Sequence, residues 1–154
     1  MDELRRLGFD SKDSPCYLQS FEISSLEYVK STGSDLKLVF LTLNNLTNAH
    51  WQRLDKIQLA GVGPWLDGLV MPGCWDQLGR GKYKCGQPTD FIEVAHRRGL
   101  KVHGFTFRNE WMKLYWDHGQ DPYAHFEEYY DLNIDGFFTD FPLTARNVPM
   151  FCFT

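Results

Sequence analysis

At 154 residues, with 43% hydrophobic and 16% aromatic residues, the chain is long enough for one domain with a packed core and too apolar to be disordered. A formal charge of −4 argues against a nucleic-acid partner held by phosphate electrostatics. No apolar run is long enough to span a membrane, and the charged opening MDELRRLGFDSKD lacks the apolar centre of a signal peptide.

Residues 1–15 read as a helix remnant (Glu3, Leu4, Arg5, Leu7) and a loop. Cys16 to Phe21, CYLQSF, has the pattern of a short buried strand. Ser24 or Ser25 can cap a helix carrying Leu26, Val29 and Lys30, which stops at Gly33. Leu36 to Leu43, LKLVFLTL, is a near-continuous apolar run, as expected of a strand buried on both faces. After a turn at 44–48, Trp51, Leu54, Ile57 and Leu59 give a helical face ending near Gly61. Gly61-Val62-Gly63-Pro64-Trp65 follows, then a mostly apolar segment, Leu66 to Met71, interrupted by Asp67 and Gly68, with a possible short fifth strand near Gly68–Met71.

Residues 72–88, PGCWDQLGRGKYKCGQP, form a long loop of the kind that is usually functional. Thr89 caps a helix with Phe91, Ile92, Val94 and Ala95 inside, and Gly99 ends it. LKVHGFTFRNE follows: an apolar strand that finishes in Arg108, Asn109 and Glu110. Asp121-Pro122 starts another helix, with Phe126, Tyr129 and Tyr130 on its apolar face and Asn133 as its stop. Ile134 to Thr139 is a further strand, and Asp140-Phe141-Pro142 begins a last turn of helix.

Strand, helix, Gly or Asn stop, strand therefore recurs, with four clear strands. Such βα units build doubly wound sheets or (β/α)8 barrels, and no G-x-G-x-x-G supports the dinucleotide-binding alternative. A barrel takes about 250 residues, so four units are roughly half of one.

Of the four cysteines, Cys74 and Cys85 bracket one loop and can close it as a disulfide; four free thiols fit equally well. Asn45-Leu46-Thr47 is a glycosylation sequon. Arg80, Lys82 and Lys84 make the 72–88 loop basic, which suits either an anionic substrate or a solvated surface. Trp65, Trp75, Trp111 and Trp116 can stack on a ligand or pack the loops down.

In a parallel fold the strand ends share one face. Gln19 and Phe21, Thr42 to Asn45, Arg108 to Glu110, and Thr139-Asp140 should therefore meet. Arg108 can hold a phosphate or carboxylate through two parallel hydrogen bonds, or form an ion pair with Glu110 or Asp140. Gln19 can bond a polyol or be a satisfied core amide. His103 reads as a packed core histidine, and His50, His96 and His125 as surface or helix-face residues. His118 is a loop histidine with room for acid–base work. No histidine spacing marks a metal site.

LQSFEISSLEYV, GVGPWLDGLVMP, PTDFIEVAHRRGLKVHGFTFRNE and DPYAHFEEYYDLNIDGFFTDFPLTA, in that order, resemble the glycerophosphodiester phosphodiesterase family, nearest to its secreted or periplasmic branch. The resemblance covers about residues 16–146 of a single 1–154 domain. It implies an α/β fold that is the second half, strands five to eight, of a (β/α)8 barrel. It implies hydrolysis of a glycerophosphodiester to glycerol 3-phosphate and an alcohol, with calcium or magnesium holding the phosphate. It also implies a substrate-binding set of Gln19, Phe21, Trp65, Phe107, Arg108, Glu110 and Asp140. Leu66 stands where the family often has a lysine.

The family's His-Arg-Gly and Glu-Asn-Thr motifs, which carry the catalytic histidines and metal carboxylates, do not occur in these residues. The chain alone is therefore expected to be inactive, to contribute no catalytic or metal-ligating residue, and to bind no cation by itself. The alternative is a non-catalytic binding module, or a half-barrel that self-associates through its open strand edges. Family branch, cysteines and sequon favour a secretory route.

Overall fold

The computed structural model describes residues 2–71, 74–75, 82–83, 87–114 and 121–151, of which 74–75, 82–83 and 149–151 are described for the backbone alone. In chain order the elements are α1 (Asp2–Arg6), β1 (Tyr17–Ser20), α2 (Ile23–Ser31), β2 (Lys37–Thr42), α3 (Asn48–Asp55), β3 (Gly61–Pro64), β4 (Cys74–Trp75), β5 (Lys82–Tyr83), α4 (Phe91–His96), β6 (Lys101–Phe107), α5 (Pro122–Asp131), β7 (Gly136–Thr139) and α6 (Pro142–Phe151). Five strands form one parallel sheet in the order β1-β2-β3-β6-β7, with β1 and β7 outermost, and β4 and β5 pair as a small antiparallel ribbon.

The helices form where apolar spacing and caps coincide. In α2, Ile23, Leu26 and Val29 are buried on one face, and Gly33 takes the left-handed stop at φ 74°. Its N-cap is Glu22 rather than Ser24 or Ser25, which already lie inside the helix; the Glu22 N–H donates to Ser20 Oγ at 3.0 Å. Thr47 caps α3 in a capping box with His50, whose Nδ1 receives the Thr47 N–H at 3.2 Å. Asp121 accepts from Tyr123 N–H and Pro122 opens α5, as the sequence predicts, and Gly99 and Asn133 are left-handed stops. The Thr89 hydroxyl does accept from Phe91 N–H at 3.4 Å, although the N-cap position itself belongs to Asp90.

The sequence count of four strands is one short. The missing strand is Gly61–Pro64, not Gly68–Met71, where a 3-10 turn at Leu66–Gly68 and a single bridge from Val70 to Pro88 stand instead. α3 ends at Asp55, and Gln58 at φ 57° turns the chain into β3. Glycine leaves β3 without the apolar run of a buried strand, but packing requires it. A Cβ on Gly61 would lie 2.7 Å from Lys101 O, and one on Gly63 2.6 Å from Leu41 Cδ2. The final helix, α6, is also longer than the single turn expected.

The main core lies between the sheet's outer face and the helices, around Leu26, Leu38, Leu54, Val62, Val102 and Tyr129. Each large side chain buried there contributes about 1.5–3 kcal/mol. His125, expected as a surface or helix-face residue, is on the inner face of α5, packed against Phe107 and Tyr129 with ring centroids 5.5 Å away in each case. The opposite face is concave. The sheet curls until Tyr17 of β1 meets His103 of β6 at 5.1 Å and Phe21 meets Phe105 at 5.7 Å, across the intervening β2 and β3. This is a curled half-barrel, consistent with part of a (β/α)8 barrel.

Candidate functional site

Parallel strands put every strand's carboxyl end on one side, and the polar ends converge there. A cleft of about 490 Å³ opens at this end of the concave face, lined by Gln19, Leu41, Phe105, Thr106, Phe138 and Asp140 among others. Phe21 forms part of its wall. Beside it, Arg108 sits between two carboxylates. Its Nη2 is 2.5 Å and its Nε 3.1 Å from the Glu110 carboxylate, and its Nη1 is 2.6 Å from Asp140 Oδ2. The Arg108 hydrogen bonds, with the residue's own backbone N–H, pull the Glu110 carboxyl down to about 2. All three groups are partly exposed, so water still reaches them.

The loops that carry this trio are stitched together. Thr139 Oγ1 donates to Phe107 O at 2.9 Å and accepts from Phe141 N–H, joining the tips of β6 and β7 to the start of α6. Asn109 Nδ2 donates to Thr144 Oγ1 at 2.8 Å, tying the β6 tip to α6.

Of the residues the sequence nominates, Gln19, Phe21 and Asp140 share the cleft, and Arg108 and Glu110 stand next to it through Asp140. Trp65 is at the end of β3, bridged to Phe105, with its N–H on Thr42 O at 2.9 Å. Phe107 is misplaced by the sequence reading. It is fully buried on the helix side against Phe126, Tyr129 and Phe137. The cause is a bulge: Phe105 pairs with Phe138 but Phe107 with Thr139, so β6 spends two residues against one of β7. That extra residue reverses the in–out alternation, so Phe105 and Thr106 line the cleft and Phe107 enters the core. Leu41, Phe105, Thr106 and Phe138 are the lining residues the sequence reading missed; alternation outward from His103 points to Phe105.

His103 is half-buried on the concave floor between Tyr17 and Phe138, and burial holds its pKa below the ordinary value. His96 bonds Asp135 and His50 caps α3, so both have structural partners. His118, Trp116, Arg80, Lys84 and Cys85 fall outside the described residues, as do the side chains of Trp75 and Lys82, which leaves the disulfide alternatives as they stood. Among the described residues no three His, Cys, Asp or Glu side chains converge as a divalent cation requires, and Glu110 and Asp140 are committed to Arg108. The residues described therefore do not make a complete site for the calcium or magnesium that the resemblance implies, and no chemical step is routed through one.

The arrangement combines apolar walls with an amide, a threonine hydroxyl and a carboxylate, beside a guanidinium held by exposed partners. It suits a small polyol joined to an anion.

Comparison with known proteins gives the same direction. The sequence model of the glycerophosphoryl diester phosphodiesterase family matches residues 2–144, reaching further toward the N-terminus than the motifs do. The chain is 29% identical to the glycerophosphodiester phosphodiesterase GDPD6 of Arabidopsis thaliana, over 92% of this chain and 39% of that protein. It is 29% identical to the glycerophosphodiester phosphodiesterase GDPDL7 of the same plant, over 88% of this chain and 21% of the relative. The chain thus spans well under half the length of these curated relatives.

Proposed function

The chain belongs to the glycerophosphoryl diester phosphodiesterase family, and on that premise we propose that it supplies the substrate-positioning part of a barrel that hydrolyses glycerophosphodiesters. The observation that carries this reading is the Arg108–Glu110–Asp140 cluster beside a cleft lined by Gln19, Phe21 and Asp140. In the proposed complex the glycerol moiety lies in the cleft, hydrogen-bonded to Gln19 and Asp140, with Trp65 at its edge. The phosphate oxygens take one side of Arg108 in place of a carboxylate. The products are glycerol 3-phosphate and an alcohol.

With five strands in the sheet, counting back from β6 and β7 as strands seven and eight makes β1 strand four rather than strand five. The secreted or periplasmic branch is favoured by the T-F-R-N-E sequence at 106–110. His-Arg-Gly and Glu-Asn-Thr are not among the 154 residues, so the acid, base and cation-binding carboxylates of the reaction come from other residues of a complete barrel. The 154-residue chain is accordingly expected to bind glycerol 3-phosphate but to turn over no glycerophosphocholine, with or without calcium or magnesium.

Titration of the isotopically labelled chain with glycerol 3-phosphate, followed by NMR, tests this. Shifts confined to the Gln19, Arg108 and Asp140 regions, and lost in Arg108→Ala, are expected. Absence of binding, or release of glycerol 3-phosphate from glycerophosphocholine above a protein-free control, would overturn it. A second reading, self-association through the outer strands, draws on β1 and β7 being unpaired on one side within the described sheet. Light scattering that gives only monomer removes that reading.

A further inference from the structure

Three successive residues at the tip of β6 each reach across to the chain that leaves β7. Phe107 O accepts the Thr139 hydroxyl at 2.9 Å, Arg108 Nη1 meets Asp140 Oδ2 at 2.6 Å, and Asn109 Nδ2 donates to Thr144 Oγ1 at 2.8 Å. The ion pair in the middle is flanked by two uncharged bonds. The receiver of the Asn109 bond is firmly seated. Thr144 is buried in the first turn of α6, one turn before Val148, which is itself fully buried in the core. The donor is held there against a loss. Asn109 Oδ1 is buried and has no hydrogen-bond partner among the described residues. A buried acceptor left unpaired destabilises a fold, and a side chain without that oxygen would not carry the loss.

A local conflict of this kind is expected where a position serves a site more than it serves the fold. Asn109 stands between Arg108 and Glu110, so both site residues hang on the one side chain between them. The Glu110 carboxylate depends on this short segment twice, through the Arg108 guanidinium at 3.1 Å and through its own backbone N–H. Without the anchor at its centre the segment would be free to leave that arrangement, and Arg108 would lose its fixed place beside the cleft.

We propose that Asn109 and Thr144 are positioning residues, whose hydrogen bond holds Arg108 between Glu110 and Asp140 beside the cleft. The two uncharged bonds keep the β6 tip on α6, so Arg108 stays in place when an anion takes over one of its carboxylate contacts. The identity of that anion rests on the phosphodiesterase reading; the placement of Arg108 does not.

Carboxyl NMR titration of Glu110 in the 154-residue chain tests it, with glycerol 3-phosphate affinity as a second readout and circular dichroism as a check on folding. Thr144→Val removes the hydroxyl at nearly constant shape, and Asn109→Ala removes the amide. Each variant is expected to stay folded, to raise the Glu110 carboxyl from about 2 toward its ordinary 4.5, and to weaken glycerol 3-phosphate binding about tenfold. The double variant is expected to do no more than either single one, and Thr144→Ser, which keeps a hydroxyl, to behave as the unaltered chain. Thr32→Val removes a comparable hydroxyl bond, Thr32 Oγ1 to Val29 O at 2.7 Å, and is expected to leave Glu110 where it was. A Glu110 carboxyl unmoved in both folded variants, additive effects in the double variant, or loss of native circular dichroism in both single variants would each overturn the proposal. The last result would make the bond a clamp for the fold alone. A chain whose Glu110 responds as expected but which binds no glycerol 3-phosphate would keep the positioning pair and remove the substrate reading.

Discussion

The seam between β6 and β7 carries an aspartate at each end, and the two do different work. At the amino end, Asp135 Oδ2 accepts the Val102 N–H at 2.8 Å and pairs with His96 Nε2 at 2.8 Å, while Lys101 Nζ is 3.8 Å from Oδ1. At the carboxyl end, Asp140 meets Arg108 at 2.6 Å with a side chain that is 60% exposed. Asp135, 24% exposed, satisfies a backbone donor and ties α4 to the sheet. Asp140 is paired with a side chain that Glu110 already serves. One end is a clamp whose partner cannot be exchanged without stranding an N–H. The other joins side chains that are open to water, so losing one partner costs the fold little.

The largest expected effect lies in the core beneath both ends. Phe107→Ala should cost about 3–5 kcal/mol in urea unfolding. A much smaller loss would mean that the bulge does not seat Phe107 in the core. Asp135→Ala should cost about 1–3 kcal/mol, because Val102 N–H loses its acceptor. Asp140→Ala should leave the unfolding midpoint where it was. Equal costs for the two aspartates would break the comparison.

Acid should separate the ends further. Burial holds His103 below its ordinary 6.5, so its contribution to stability is complete above that value and is lost as pH falls through the folded pKa. Burial raises the Asp135 carboxyl, but the Val102 N–H and His96 more than offset this, so its contribution is present above about 3.8 and lost lower still. The unfolding midpoint should therefore fall first below pH 6.5, and His103→Gln should remove that first step. The smallest effect is purely electrostatic. Glu110 titrates at about 2 in the native chain and should return toward its ordinary 4.5 in Arg108→Ala, with no change in fold by circular dichroism. A Glu110 carboxyl shift unchanged by that substitution would separate it from Arg108.

Much of this was legible in the sequence where local chemistry and global fold agree. Asp121-Pro122 started a helix that Asn133 stopped, Gly33 and Gly99 stopped two others, and LKLVFLTL was a strand buried on both faces. The convergence of Gln19, Phe21, Arg108, Glu110 and Asp140 followed from parallel strand ends. The misses have a common origin in neighbours that a linear pattern does not show. β3 went unassigned because its glycines answer to the backbone of β6 and a leucine of β2. Phe107 went to the wrong face because the bulge exists only in the pairing with β7. Of the two places open to His125, surface or helix face, the inner face of α5 holds, because its ring completes an aromatic cluster under the sheet. The Thr47–His50 box was hidden because histidine replaces the usual Glu or Gln at its third position.

The glycines of β3 have a consequence for how such a cleft could change over generations. Gly63 faces Leu41 and Phe138 on the concave side with no room for a side chain, so the middle strand is closed to ordinary variation. The space for a ligand is set instead by rings reaching over from the flanks, Phe21 and Phe105 meeting edge to face and Phe138 beside them. Adaptation toward a bulkier or smaller ligand thus has its open positions on β6, on β7 and after β1, while β3 acts as the fixed datum from which that width is measured.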